Sequence, residues 1–206
     1  LDRLGLLQAT PIEVIEGPTG RPQYPSNWSD ISTMTISYGH GISTSPVHLA
    51  AGYAAIVNGG TLVKPTLLKQ PAPPRGARII SEKTSRDLRS MMRRVVTEGT
   101  AKMGDVPGYS IAGKTGTADK PSPQGGYYKD KVLATFASFF PSTDPRYVLI
   151  VTLDEPEDRT GPEPRRTAGA TAVPVAAEII RRVAPLLGIA PEIEPTLKNG
   201  LTLANN

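Results

Sequence analysis

A lysine, two threonines and a glycine stand together at Lys114-Thr115-Gly116-Thr117, at the end of a longer G-x-x-x-x-G-K-T stretch from Gly108 to Thr115. Two chemistries fit. In the first, glycine-rich backbone wraps phosphate groups, and Lys114 and Thr115 open a helix whose N-terminal N–H groups and dipole hold nucleotide charge. In the second, the four residues lie on a strand edge. Lys114 then sets a cation beside a carboxylate-bearing substrate and assists proton movement. Thr115 and Thr117 offer hydroxyls to that carboxylate. Gly116, without a Cβ, lets a catalytic helix and an acyl group approach the backbone. The backbone N–H of Thr117 can point at a developing oxyanion.

The flanking residues separate the two. After Thr115 comes GTADKPSPQGG, whose glycines and two prolines cannot start the helix that a phosphate loop needs. The segment VLIVTLDE (148–155) offers an apolar strand ending in Asp154, as a nucleotide-binding partner strand would. But a parallel partner requires a crossover, usually a helix, and only a loop and another strand lie between. The strand-edge reading is therefore preferred.

Three helices must position that strand. Ser45 and Pro46 cap and open the first, which runs through VHLAAGYAAIV to the stop NGG. Its alanines allow a close neighbour. The second starts near Ser81 and carries Leu88, Met91, Met92, Val95 and Val96 on one stripe, with Gly99 as its end. Arg86, Arg89 and Arg93 fall off that stripe and read as a solvated face. The third runs from about Ala172 to Leu187, with Ala176, Ile180, Val183 and Leu187 on one side and Gly188 as its stop.

Between the second and third helices lie strand-like segments at 109–117, 132–140 and 147–155, the last two joined by the turn-rich PSTDPR. The apolar 147–153 predicts a central strand buried on both faces. Ala134, Ala137 and Ser138 predict a helix packed tightly across the sheet. The order helix, helix, three antiparallel strands, helix is an α+β layer architecture. Glycine and proline, 41 residues of 206, cluster at 17–25, 59–76 and 121–126, which read as loops.

Composition narrows the function classes. No apolar run approaches the ~18 residues that a membrane span needs, so the chain as given reads as soluble. It opens at Leu1 without a Met or a secretory signal, and is expected to be a fragment or a processed product. The net charge of +4 is a mild excess, and aromatics at 5% form no basic-aromatic pattern, which argues against nucleic acid. The absence of Cys removes thiolate chemistry, disulfides and zinc-thiolate sites. His40 and His48 stand outside any metal-ligand pattern and read as surface or packing residues. Neither a metal nor a cofactor is implied.

The longer context of the K-T-G-T site carries a resemblance. IAGKTGTADK, together with TISYGHGISTSPVHLAAGYAAIVNGGTLVKPTLL, GYYKDKVLATFASFFP, YVLIVTLDEP and AGATAVPVAAEII, resembles the C-terminal part of a class B penicillin-binding protein. SYGHGISTSP points to the septal, cell-division type rather than an elongation-type enzyme, a carboxypeptidase or a β-lactamase. The family usually writes two glycines where this chain has Ala168 and Gly169. The likeness covers residues 1–188, the expected domain part; 189–206 is expected to be a flexible tail.

The resemblance implies a penicillin-binding transpeptidase/β-lactamase-like fold, an antiparallel sheet packed between helices. It also implies site roles: Lys114 and Thr117 catalytic, with Thr115, Gly116, Thr117 and Tyr128 binding substrate. The parent is implied to be a peptidoglycan D,D-transpeptidase acting on stem peptides and inhibited by β-lactams. Its implied partners are division-complex proteins including a glycan polymerase. It is implied to sit on the periplasmic face of the bacterial inner membrane, with its anchor outside this chain. The family's other motifs are Ser-x-x-Lys and Ser-x-Asn, yet no serine here has Lys three residues on or Asn two residues on. The nucleophile half and two strands of the domain are therefore expected to be absent, leaving a fragment inactive alone. The rival reading is a non-catalytic binding module of the same fold; the intact K-T-G-T argues against such decay.

Overall fold

A computed structural model of the protein describes residues 1–9, 12–14, 21–71 and 76–192. Two expected helices begin at their capping serines. Ser45 Oγ accepts the N–H of His48 at the start of α2 (Pro46–Val57), with Pro46 in the first turn. Ser81 Oγ accepts the N–H of Thr84 at the start of α3 (Glu82–Thr97). The last helix, α4 (Ala172–Leu186), stops at Gly188 with φ 71°. There the N–H groups of Gly188 and Ile189 bond back to the carbonyls of Pro185 and Ala184, closing the helix end.

A fourth helix, α1 (Asp30–Ser37), lies in a stretch to which the sequence assigned no element. Ser29 caps it through the N–H of Ser32 at 3.2 Å. Periodicity could not reveal it, because it is short and its apolar Ile31 and Met34 are 72% and 67% exposed. It buries only Ile36.

The sheet is antiparallel, in the order β1 (Ala112–Pro121), β2 (Tyr127–Phe140), β3 (Tyr147–Asp154). The 121–126 cluster is the β1–β2 turn, with Gly125 and Gly126 at positive φ. Helices cover both faces, as the resemblance implied. On one face Ala134, Phe136 and Phe140 of β2 join Ala172, Ala176 and Ile180 of α4 in the main core. On the other, Phe139 and Ala112 meet Val57 of α2.

Four expectations need correction. First, among the described residues β3 is an edge strand and β2 the central one; of the β3 residues only Val151 is buried. Val148 and Ile150 instead face an open apolar trough of about 450 Å³ shared with Ala50 and Ala54 of α2. An apolar run reports burial potential, not position in the sheet. Second, two of the three arginines off the α3 stripe are structural. Arg93 donates to Ile111 O at 2.9 Å and pairs with Asp105 at 3.0 Å, and Arg89 donates to Thr143 O at 3.0 Å. Both tie α3 to the segments flanking the sheet, using long side chains that periodicity scores as polar. Third, Met91 of the apolar stripe is 60% exposed, whereas Ser85 is fully buried. Ser85 donates to Ile56 O at 2.6 Å, so a hydroxyl occupies the place where α3 meets α2. Fourth, residues 189–192, expected in the tail, are docked. Ile189 is buried and the Glu192 N–H bonds to Gly108 O at 2.7 Å. Residues 193–206 lie outside the described residues.

Candidate active site

The phosphate-loop geometry is absent at Lys114. Residues 112–121 continue as strand, so no helix N-terminus faces a nucleotide there. The strand reading holds instead: β1 pairs with β2 alone, and its other edge meets no strand among the described residues.

Register assigns the faces. Lys114 and Gly116 sit opposite Ala137 and Thr135, whereas Thr115 and Thr117 sit opposite Phe136 and Ala134. Side chains alternate along a strand, so the lysine and the threonines project to opposite faces of the sheet. Each face opens into a groove. The lysine-side groove holds about 450 Å³ between the sheet, where Thr135 and Thr152 line it, and the glycine-rich segment with α2, where Ser45 and Tyr53 line it. Burial pushes the Tyr53 hydroxyl pKa above its ordinary value. The threonine-side groove holds about 460 Å³ among Thr100, Lys102, Arg165 and Gly169. The edge of β1 is the rim that both grooves share.

Lys114 is exposed, and its Nζ donates to Thr115 O at 2.8 Å. Gly116 also faces open space, since a Cβ built there would meet only Thr135 O at 4.0 Å. Nothing in the fold itself therefore requires a glycine at 116. Gly113 is different: a Cβ would lie 2.5 Å from Ala137 O and 2.8 Å from the Phe136 ring.

The four K-T-G-T residues are thus brought together, but Tyr128 is not among the residues lining either groove. The Lys131 ammonium lies 5.0 Å from its ring centroid, and Lys131 is in turn paired with Glu155. Its neighbour Tyr127 reaches the glycine-rich segment, with its ring edge-on to His40 at 5.9 Å. Both histidines are packing residues: His40 lies between Tyr38 and Tyr127, and His48 is buried with its ring nitrogens 2.7 Å from Ser45 Oγ and Gln8 O. Among the described residues no group of acidic, His or Cys side chains could hold a metal ion. No described helix is long and apolar enough to cross a membrane.

Sequence reasoning missed the partners of the threonines. Thr100, from the link after α3, places its Oγ1 2.7 Å from Thr115 Oγ1. The N–H of Ala168, before α4, donates to Thr117 Oγ1 at 3.0 Å. Gly169 lets these two segments meet, because a Cβ there would lie 2.5 Å from Thr100 O. The only sequence trace of this contact is the small-residue pair at 168–169. Gly169→Ala should therefore force the turn away from Thr100 and cost about 1–3 kcal/mol as overpacking. Urea unfolding of the variant checks this, and an unchanged midpoint would show that the contact gives way freely.

A lysine-bearing edge strand between two grooves, on an antiparallel sheet sandwiched by helices, is the layer architecture that the sequence resemblance implied. The comparisons agree. The family described as "Penicillin binding protein transpeptidase domain" matches residues 1–181, and the chain belongs to that family. It is 36% identical over 201 residues to the probable peptidoglycan D,D-transpeptidase FtsI of Caulobacter vibrioides, covering 93% of this chain and 34% of that protein. It is 36% identical over 197 residues to penicillin-binding protein PbpB of Mycolicibacterium smegmatis, covering 87% and 30%.

Among solved structures, the transpeptidase domain of Burkholderia pseudomallei penicillin-binding protein 3 superposes with a TM-score of 0.81 at 36% identity, over 94% of this chain and 57% of that one. Penicillin-binding protein 3 of Mycobacterium tuberculosis, in its complex with ampicillin, gives 0.79 at 28% identity, over 95% and 46%. The chain therefore spans about a third of the length of these curated relatives and about half of the solved chains. These are class B penicillin-binding proteins, and the fold here is part of their transpeptidase domain.

Proposed function

We propose that this chain is the C-terminal portion of a peptidoglycan D,D-transpeptidase that cross-links stem peptides during cell division and binds β-lactams. The observation that carries the reading is Lys114-Thr115-Gly116-Thr117 on an open strand edge between two grooves. In this reading a serine supplied by the other half of the domain attacks the carbonyl of the penultimate D-Ala. Its Oγ–C bond forms, its proton passes by way of a neighbouring base to the departing amine, and the C–N bond to the terminal D-Ala breaks. An amine of a neighbouring stem peptide then attacks the ester, loses a proton and restores the serine.

Lys114 supports proton movement from the lysine-side groove and adds positive charge near the substrate. Thr115 and Thr117 hold the substrate carboxylate, and the Thr117 N–H stabilises the tetrahedral oxyanion. Gly116 faces open groove, which suits the close approach of an acyl group. Tyr128 remains a proposed substrate contact only through the hairpin that carries it. The relatives' names support a cell-wall setting, and we place the whole protein at the periplasmic face of the inner membrane, among division proteins that include a glycan polymerase.

The chain alone should form no stable adduct with a labelled penicillin, because no serine here carries Lys at the third following position. Gel fluorescence after denaturation measures this. A stoichiometric, denaturation-resistant adduct on the isolated chain would overturn the assignment of the nucleophile to the other half.

A further inference from the structure

The two threonine hydroxyls on the far side of β1 are held from outside the K-T-G-T strand. The N–H of Ala168 donates to Thr117 Oγ1 at 3.0 Å. A hydroxyl owns one proton and two lone pairs. With a lone pair of Thr117 taken by an N–H, its proton is left to be donated elsewhere. Thr115 Oγ1 and Thr100 Oγ1 are 2.7 Å apart, and either atom can be the donor. When Thr100 donates, the proton of Thr115 is free to point outward. An anion in the groove selects that arrangement, since the chain Thr100 to Thr115 to anion polarises in one direction.

The two supports form one unit. The turn at 168–170 rests directly on the Thr100 carbonyl, at a distance that only glycine at 169 permits. Lys102 and Arg165 line the same groove of about 460 Å³, with Arg165 ion-paired to Asp158. Arg165 is oriented there by its bond to Asp158 at 3.1 Å. The Asp158 carboxyl is held down to about 2, chiefly by hydrogen bonds from Thr160 and then from Arg165, and it therefore stays charged at neutral pH.

We propose that Thr100 is a positioning residue that, with the Ala168 N–H, makes Thr115 and Thr117 a two-donor carboxylate clamp, and so sets the preference for substrates ending in a free carboxylate over neutral ones. The proposal rests on the reading of K-T-G-T as the substrate-binding strand. A residue that only packed would affect charged and neutral substrates alike. One that orients donors affects the charged substrate alone.

The experiment measures second-order acylation rates for benzylpenicillin and its methyl ester, in a protein that joins this chain to its serine-bearing half. Thr100→Val keeps the shape and removes the hydroxyl. It should lower the carboxylate-to-ester rate ratio about 5- to 10-fold, the effect of weakening a hydrogen bond to a charged group, and leave the ester rate unchanged. Thr100→Ser should restore the ratio. Thr100→Ala serves in place of the valine variant if the latter unfolds, judged by its thermal midpoint. An unchanged ratio in a folded variant, or equal losses for both substrates, overturns the proposal. A wild-type protein that acylates acid and ester equally overturns the carboxylate reading of K-T-G-T itself, and the clamp with it. The wild-type ratio thus separates the two failures.

Discussion

A folded Thr117→Pro protein should acylate about 10²- to 10³-fold more slowly than Thr117→Ala, the usual loss when one oxyanion donor is removed. The comparison isolates the N–H. Alanine removes the hydroxyl bonded by Ala168 but keeps the backbone donor, so its loss should be near 10-fold, the value of a hydrogen bond to a charged group. Proline removes both. Because the other edge of β1 meets no strand among the described residues, proline is tolerable there if the Thr117 N–H points away from β2. That is also the direction an oxyanion donor needs. Lys114→Ala should fall with the proline variant rather than with the alanine one, because it removes the one side chain of the motif that projects into the lysine-side groove and carries charge. Acylation rates measured beside circular dichroism spectra decide the matter. Equal rates for folded Thr117→Pro and Thr117→Ala would remove the oxyanion role.

The second large effect is on stability. Phe136→Ala should destabilise the protein by about 3–5 kcal/mol, a large part of the ~5–15 kcal/mol that holds a typical domain. Phe136 is fully buried on the central strand, within the core shared with α4. Its ring fills space left by two glycines: Cβ atoms built at Gly104 and Gly113 would lie 3.7 Å and 2.8 Å from it. Backbone therefore walls the site, and backbone cannot collapse into a cavity as side chains can. Phe136 also sits opposite Thr115 in the β1–β2 register, so the cavity would open beneath the K-T-G-T strand. Urea unfolding gives the loss directly. A change below 1 kcal/mol would mean that the core repacks around the ring's absence.

Helix starts and stops were legible in the sequence wherever one residue fixes them. Ser45, Pro46, Ser81 and Gly188 act through their own backbone geometry or a bond a few residues away, so local spacing shows them. The same holds for the three antiparallel strands, whose apolar runs are separated by turns. The strand that carries K-T-G-T was legible because the glycines and prolines after Thr115 cannot open a helix, and the strand found there excludes a phosphate loop.

What only the tertiary structure decided depends on residues far apart in the chain. The edge position of β3 depends on which strands are present to pair, and an apolar run is silent about that. The roles of Arg89 and Arg93 depend on carbonyls of Thr143 and Ile111 that their own helix does not contain. The hydroxyls of Thr115 and Thr117 find partners at Thr100 and Ala168. Those partners meet the strand only because a glycine lets two backbone segments touch. Side-chain alternation puts the lysine and the threonines on opposite faces of β1, as local geometry requires. The glycine-rich segment with α2 on one face, and the links after α3 and before α4 on the other, turned those faces into two grooves with a single shared rim.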